Sequence, residues 1–344
     1  MFKKLLVFLC RRPKADPSVC SRARSVLIRP LSPALGDGIM TTAALAQLKE
    51  ALPGVRTGVI VNERNRDLFS LCPLADELVP DGLTSALRQR GRWDIYLDYP
   101  RTFNTTAILF AFLLRPLLSV AFDKENKKAY TSSSVKVYDL YCPNRAMYHL
   151  NSYLKLTPLA FAVKEPVHYV LRAPQTLNPY PQDGKINILL APWGSTRRLE
   201  PRLLAQAVAA NAAPDVRFWL LNDGKSEGGG YLPALQIATT KADIAQGKSP
   251  SLYDFLAYIY YADGIFAIDS AAVHAACAYD KIQAALFNNH KKKLCWYRPL
   301  PLPRTELVLS DTETEDIDDF STFSAQTLKG AMARLIERVR KSDK

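Results

Sequence analysis

Gly264–Asp280, GIFAIDSAAVHAACAYD, is the stretch from which the rest of the chain is best read. Gly264 to Ile268 is apolar and reads as a buried strand. Asp269 and Ser270 follow at once, and the small residues of AAVHAACA suit a helix packed tightly on a sheet. His274 stands four residues after Ser270, about one turn on and on the same face. A strand that runs through Asp-Ser into a helix presents free backbone N–H groups and the positive end of a helix dipole. That is an anion site, and phosphate is its usual guest. An ordinary Ser N-cap before an ordinary helix has the same pattern, so this stretch alone leaves both readings open.

The elements around it repeat one theme. Before it, Ile186–Ala191 is a strand with almost no polar residue, as in the middle of a parallel sheet. A Gly-Ser-Thr-Arg-Arg loop follows, then a helix over Glu200–Asn211, with Pro201 near its start. Arg217–Leu221 reads as a strand, Gln236–Ala238 as a weaker one, and Ser251–Tyr261 as a helix capped by Ser249 or Ser251. Ile282–Phe287 is the next strand and Ala325–Arg340 a closing helix. The first half alternates in the same way. Strands are expected at Val26–Arg29, Gly58–Val61, Glu77–Val79, Trp93–Leu97 and Ser119–Phe122. Helices are expected from about Gly38 to Leu52, at Leu68–Leu71, Ala107–Leu114 and Arg145–Leu156. Such alternation implies an α/β protein with mostly parallel sheets covered by helices. Pro166–Gly184 holds four prolines and is the best linker candidate. The expected division is a basic tail over 1–24, one Rossmann-like domain over 25–170, a linker over 171–184 and a second such domain over 185–344. Two doubly wound halves place the expected active site in a cleft between them.

Charge and cysteine usage narrow the partners. The chain of 344 residues has a net charge of +12, which suggests an acidic partner: a nucleotide, a phosphorylated substrate, nucleic acid or an anionic membrane. Residues 1–24 hold seven basic residues against one acid, Asp16, while Asp311–Asp319 carries six acids. The six cysteines form no CxxC pair and no metal-ligand cluster with the four histidines; they read as reduced thiols of a cytoplasmic protein. Phe2–Cys10 is a poor signal peptide, because its apolar run is short, Arg11-Arg12-Pro13 follows, and no clear small-residue cleavage site appears. The apolar run Ala107–Leu114 is also far short of the roughly 20 residues that span a bilayer. The basic tail is expected either to be a disordered leader or to lie on an anionic membrane with Phe2, Leu5, Leu6 and Phe8 dipping in.

Three segments carry chemistry. In Leu35-Gly36-Asp37-Gly38, glycines on both sides of one acid allow a tight turn. At a strand's carboxyl end Asp37 suits a general base, worth about 10²–10⁴-fold in rate, or a plain helix cap. In Gly194-Ser195-Thr196-Arg197-Arg198, hydroxyls, backbone amides and guanidinium groups suit a diphosphate. The third is Asp269, Ser270 and His274 in the opening stretch.

In this order the segments resemble the bacterial heptosyltransferases of glycosyltransferase family nine. LGDGIMTTAALAQLKEALP is similar to that family's opening segment, and LLAPWGSTRRLEP to its hydroxyl-rich loop. SLYDFLAYIYYADGIFAIDSAAVHAACA is similar to its "DsG-x-x-HlAaA" segment and is the most specific of the three. The resemblance covers about Val26 to Arg340. It implies a GT-B fold and inverting, metal-independent transfer of heptose from ADP-heptose to the lipopolysaccharide inner core, with no cofactor beyond the nucleotide sugar. It places Asp37 on the general base and Arg198 on a Lys that contacts the donor phosphates. It also implies donor roles for Gly194, Ser195, Thr196, Asp269, Ser270 and His274, with Glu227 near the ribose. The acceptor, an anionic lipid-linked saccharide, is expected at Gly36, Gly38, Arg101 and Lys124, with the basic tail holding the enzyme at the cytoplasmic face of the inner membrane.

The chain departs from the family pattern in three places. Ala271 stands where Gly is usual, Arg198 where Lys is usual, and Asn288-Asn289-His290 followed by three lysines replaces a Gly-Pro-Thr-type loop. These changes leave open another nucleotide hexose or N-acetylhexosamine donor, or a catalytically silent sugar-nucleotide-binding protein. Nucleic-acid binding is the reading from another class, but much of the excess charge sits in the tail and no nucleic-acid motif is recognisable.

Overall fold

The computed structural model describes residues 2–142, 168–222, 230–290, 302–316 and 318–342. The chain divides into two compact units, Met1–Leu171 and Arg172–Lys344. The first opens with α1 (Phe2–Leu9) and a 3-10 turn (Pro17–Arg22). It then runs β1 (Ser25–Arg29), α2 (Leu35–Ala51), β2 (Arg56–Val61), α3 (Arg66–Ser70), β3 (Glu77–Pro80) and α4 (Leu83–Arg88). It continues with β4 (Ile95–Asp98), α5 (Thr105–Leu114), β5 (Leu118–Phe122) and β6 (Leu140–Cys142). These six strands are parallel, in the order β3-β2-β1-β4-β5-β6.

The second unit runs β7 (Ile186–Ala191), α6 (Pro201–Ala210), β8 (Val216–Asn222), α7 (Tyr231–Ala238), β9 (Asp243–Lys248) and α8 (Leu252–Tyr261). It closes with β10 (Gly264–Ile268), α9 (Ala271–Ala278), β11 (Ile282–His290), β12 (Thr305–Thr314) and α10 (Ala325–Ser342). Its strands are also all parallel, in the order β12-β11-β10-β7-β8-β9. Counted along each unit, the two orders are the same doubly wound order, which reverses between the first and fourth strands.

Side-chain pattern explains these elements. β7 and β10 are buried on both faces, so their sequences are continuous apolar runs rather than alternating ones. α10 buries Leu328, Ala331, Met332, Leu335, Ile336 and Val339, a stripe at helical spacing, and keeps its charges outside. Gly264 is needed where this helix meets the sheet: a Cβ there would lie 2.8 Å from Ile188 Cδ1 and 2.9 Å from Val339 Cγ2. α8 starts with a reciprocal Ser251–Asp254 capping box. The five cysteines among the described residues are buried and form no disulfide. Among the described residues no helix is long and apolar enough to cross a membrane.

Several expectations are corrected. Residues 1–24 are not a free tail, because Leu6, Val7 and Cys10 are buried in the first unit's core. The helix after β1 starts at Leu35, so Gly36, Asp37 and Gly38 form its first turn rather than a tight loop. Gln236–Ala238 is the last turn of α7, and the edge strand is Asp243–Lys248 instead. That strand has few apolar residues because an edge position leaves it half-exposed, so it shows no hydrophobic run. β11 continues through His290, pairing Asn289 with Glu313 and His290 with Thr314 after an irregularity at Phe287. β12 was not expected, since its acidic second half lacks an apolar pattern. Within the linker candidate, the buried Tyr180 donates to the Tyr258 carbonyl at 2.7 Å and meets the Trp219 ring edge-on at 5.2 Å. The helix expected at Arg145–Leu156 lies outside the described residues, as do Cys295 and Lys291 to Lys293.

Part of the acidic run has a structural task. Asp311 accepts from Ser324 N–H and Thr327 Oγ1, both at 2.6 Å, and so holds the chain entering α10. The Thr327 hydrogen bond first, then the Ser324 bonds, keep its carboxyl below the ordinary aspartate value against a smaller opposing effect of burial. A depressed folded pKa gives stability that is present above the unfolded value and lost as pH falls through the folded one. Asp311→Asn is therefore expected to be less stable than the parent near neutrality, with the difference shrinking below about pH 4. Denaturant titrations of both proteins at neutral and acid pH measure this.

Candidate active site

In a doubly wound sheet the ligand site lies beyond the carboxyl ends of the strands where the order reverses. In the second unit these strands are β7 and β10. β7 leads into a tight hairpin: Trp193 and Arg198 pair antiparallel, Gly194 N–H donates to the Arg197 carbonyl at 2.8 Å, and Leu199 N–H to that of Pro192 at 2.9 Å. β10 leads through Asp269 and Ser270 into α9. The two loops touch. A Cβ on Gly194 would lie 3.4 Å from both the Asp269 carbonyl oxygen and Ser270 Cβ.

The hairpin sorts the two arginines. Arg197 turns inward: its Nη1 pairs with Asp269 Oδ2, and its Nε donates to Asp318 Oδ1 at 2.9 Å. Thr196 Oγ1 donates to the same Asp318 oxygen at 3.0 Å. Ser195 and Arg198 are exposed. Tyr231 braces the hairpin by donating to the Leu199 carbonyl at 2.6 Å. Burial pushes its phenol up to about 12, while the charge of Arg198 pulls the other way.

Asp269 and His274 are buried in this region. Ser270 is the N-cap of α9, yet its side chain makes no capping bond. Among the described residues its buried Oγ has no hydrogen-bond partner. Such a group costs about 1–3 kcal/mol unless something fills the gap. Beside it are the start of α9, the Gly194 backbone and Arg197, which pairs with the neighbouring Asp269. This arrangement can receive a phosphate or diphosphate oxygen. Ala271 is the first residue of α9, where a Cβ narrows the approach. Glu227 lies outside the described residues. Among the described residues no cluster of three His, Cys, Asp or Glu side chains suits a metal ion. Asp316 and Asp318 have acid-x-acid spacing, but Asp316 Oδ1 accepts the Asp318 N–H at 2.9 Å and Asp318 engages Arg197.

In the first unit the equivalent strands are β1 and β4. Asp37 sits in the first turn of α2, where the helix dipole favours a carboxylate. Ser32 Oγ donates to Asp37 Oδ2 and accepts from Ala34 N–H at 3.0 Å. Gly36 is half-exposed beside Asp37. Gly38 is buried for packing, since a Cβ would sit 2.4 Å from Leu68 Cδ2 of α3. The two basic acceptor candidates are committed to carboxylates. Lys124 is buried, with Nζ 3.0 Å from the fully buried Asp98 Oδ2, which also accepts from Tyr138 Oη. Arg29 lies 3.8 Å from the other Asp98 oxygen and donates twice to Asp81 at 2.9 Å. Arg101 pairs with Asp123 and Glu125, each at 3.0 Å. Lys124 is thus a core ion-pair residue rather than an exposed acceptor contact.

Ser32 and Asp318 have no site role in the sequence reading, and Arg197 has only its place in the hairpin loop. Asp318 lies 121 positions from Arg197, so only the fold brings them together. The choice between Arg197 and Arg198 depends on hairpin register.

The burial of the Lys124–Asp98 pair sets its consequence. Lys124→Ala leaves the buried Asp98 with only Tyr138 and the more distant Arg29 and is expected to cost up to about 3–5 kcal/mol, whereas Arg101→Ala at the surface should cost about 0–1 kcal/mol. Chemical denaturation of both variants decides between a structural and a surface role.

No protein-family model matches the chain, and no curated protein matches it. Solved structures do. ADP-heptose lipopolysaccharide heptosyltransferase II of E. coli superposes with a TM-score of 0.68 at 15% identity, covering 91% of this chain and 99% of that one. A glycosyl transferase of family 9 from Veillonella parvula gives 0.69 at 14%, covering 92% and 97%. E. coli heptosyltransferase WaaC with ADP gives 0.69 at 14%, covering 92% and 99%. At this identity the likeness is one of fold: the chain has the α/β architecture of these GT-B proteins, with two Rossmann-like units.

Proposed function

We propose that this protein is an inverting, metal-independent glycosyltransferase that moves a sugar, heptose from ADP-heptose, to an anionic lipid-linked saccharide of the lipopolysaccharide inner core. The observation that carries this reading is the built anion site of the second unit, where the Gly194 hairpin, Arg197 and the unpartnered Ser270 hydroxyl meet the start of α9. The shared fold with heptosyltransferases supports the same chemistry. The sequence segments around Asp37 and His274 resemble those enzymes as well.

The reaction is a single displacement. Asp37, oriented by Ser32, takes the proton of an acceptor hydroxyl as that oxygen bonds to the anomeric carbon. The bond from that carbon to the diphosphate breaks, and its electron pair leaves with the nucleotide. Positive charge grows on the sugar, as in other glycosyl transfers. The leaving diphosphate gains negative charge, which Arg198, the hairpin hydroxyls and the α9 amides stabilise without a metal. Arg197 holds Asp269 and so shapes the site, while Arg198 is free to reach a ligand from the hairpin surface. A different nucleotide hexose is the second reading, favoured by Ala271 in place of glycine at the first position of α9.

Two experiments test this. Thermal-shift measurements with ADP, UDP and GDP sugars should show the largest rise in Tm for ADP-heptose, since a ligand at 100 times its Kd stabilises by about 2.7 kcal/mol. A larger rise with another nucleotide sugar would move the proposal to that donor. Failure of all of them would reject it. Among variants, Asp37→Asn should lose at least about 10²-fold in kcat while keeping that shift. Arg198→Ala should weaken donor binding with unchanged stability. Arg197→Ala should lose both donor binding and some stability, because the buried Asp269 would lose the guanidinium it pairs with.

A further inference from the structure

The first helix has two apolar faces, and the domain uses only one. Leu6, Val7 and Cys10 are buried in the first unit's core beside Tyr130, Val135 and Tyr138. Arg12 ties down the chain that follows: its Nη2 lies 2.9 Å from Asp139 Oδ2 and donates to the Leu117 carbonyl at 3.0 Å. Ala15 N–H donates to the other Asp139 oxygen at 2.9 Å. The segment is therefore a fixed part of the domain surface.

The outer face is apolar as well. Leu5, Phe8 and Leu9 are 54%, 60% and 63% exposed, and their spacing sets them in one stripe. Leu117, which Arg12 holds beside the segment, is 57% exposed. Large apolar side chains gathered in one exposed stripe mark a surface that something else covers. Exposed Lys4, Arg11, Lys14 and Arg115 lie on or near this segment, while Lys3 turns the other way, over the Tyr130 ring at 5.7 Å. Arg11 stacks over the Phe8 ring at 4.9 Å, and Arg115 is close enough for its charge to lower the Arg12 pKa, though burial lowers it more and Asp139 raises it. In residues 1–24 the one acid is Asp16, which is hydrogen-bonded to Ser18.

We propose that the outer face of α1, extended by Leu117 and Arg115 from the α5–β5 connection, is a docking surface for an anionic lipid bilayer. Leu5, Phe8 and Leu9 enter the interface while the surrounding cations meet lipid phosphates. Charge selects the occupant. Two copies of this face would bring like charges together, whereas an anionic membrane complements both its apolar stripe and its rim. The surface differs from a basic tail dipping in at Phe2, Leu5, Leu6 and Phe8: Leu6 is consumed by the core, and a distant loop joins the patch. The inference does not depend on the transferase reading.

Vesicle flotation with the full chain tests it. The protein should float with phosphatidylcholine vesicles containing phosphatidylglycerol, remain behind with pure phosphatidylcholine, and be released by raised salt. Leu5→Ser/Phe8→Ser/Leu9→Ser should bind at least about tenfold more weakly with an unchanged Tm, as exposed positions allow. Leu6→Ala should lower the Tm yet still float. The proposal is overturned if the parent ignores anionic vesicles or if the triple variant floats like the parent. It is equally overturned if sedimentation shows a dimer that the triple variant abolishes, since a second copy would then cover the face.

Discussion

All-parallel pairing is the constraint on which the rest of this molecule depends. Each parallel strand must be reached by a crossover from the far end of the sheet, so every loop that follows a strand emerges on one edge. In the first unit that edge carries Asp37 and the Arg29–Asp98–Lys124 ion-pair group. In the second it carries the Gly194 hairpin and the Asp269-Ser270 turn. The chemistry collects at the strands' carboxyl ends because the topology leaves it there.

On that scaffold, ion pairs divide the basic residues by task. Lys124 and Arg197 are spent on buried or half-buried carboxylates and stabilise the sites they line. Arg198 keeps its charge at the surface. The acidic run does the reverse of what its composition suggests. Asp311 holds the entry to α10 and Asp318 braces the Gly194 hairpin, so two of its carboxylates hold structure. The basic excess near the start of the chain is likewise partly internal, since Arg12 is paired with Asp139.

How legible the molecule is from its sequence depends on burial. β7 and β10 are covered on both faces and therefore read as unbroken apolar runs. The half-covered edge strands do not: Asp243–Lys248 and the acidic end of β12 carry no period that would reveal them. The site shows the same division. Asp37, Ser270 and the hairpin are local features at strand–helix junctions, visible as short patterns. Ser32, Arg197 and Asp318 matter through partners that are not visible from their own neighbourhood.

The sequence by itself determined the fold class, the repetition of one doubly wound plan, and the strand–helix junctions at which Asp37 and Ser270 stand. These follow from side-chain periodicity and from the chemistry of residues adjacent in the chain. Only the tertiary structure decided that Arg197 faces Asp269 while Arg198 faces solvent, that Lys124 belongs to the core, and that the first 24 residues include a fixed helix with an uncovered apolar face. The reason is physical: hairpin register, burial of a charge and the covering of a helix face each depend on residues distant in sequence, and no local pattern encodes them.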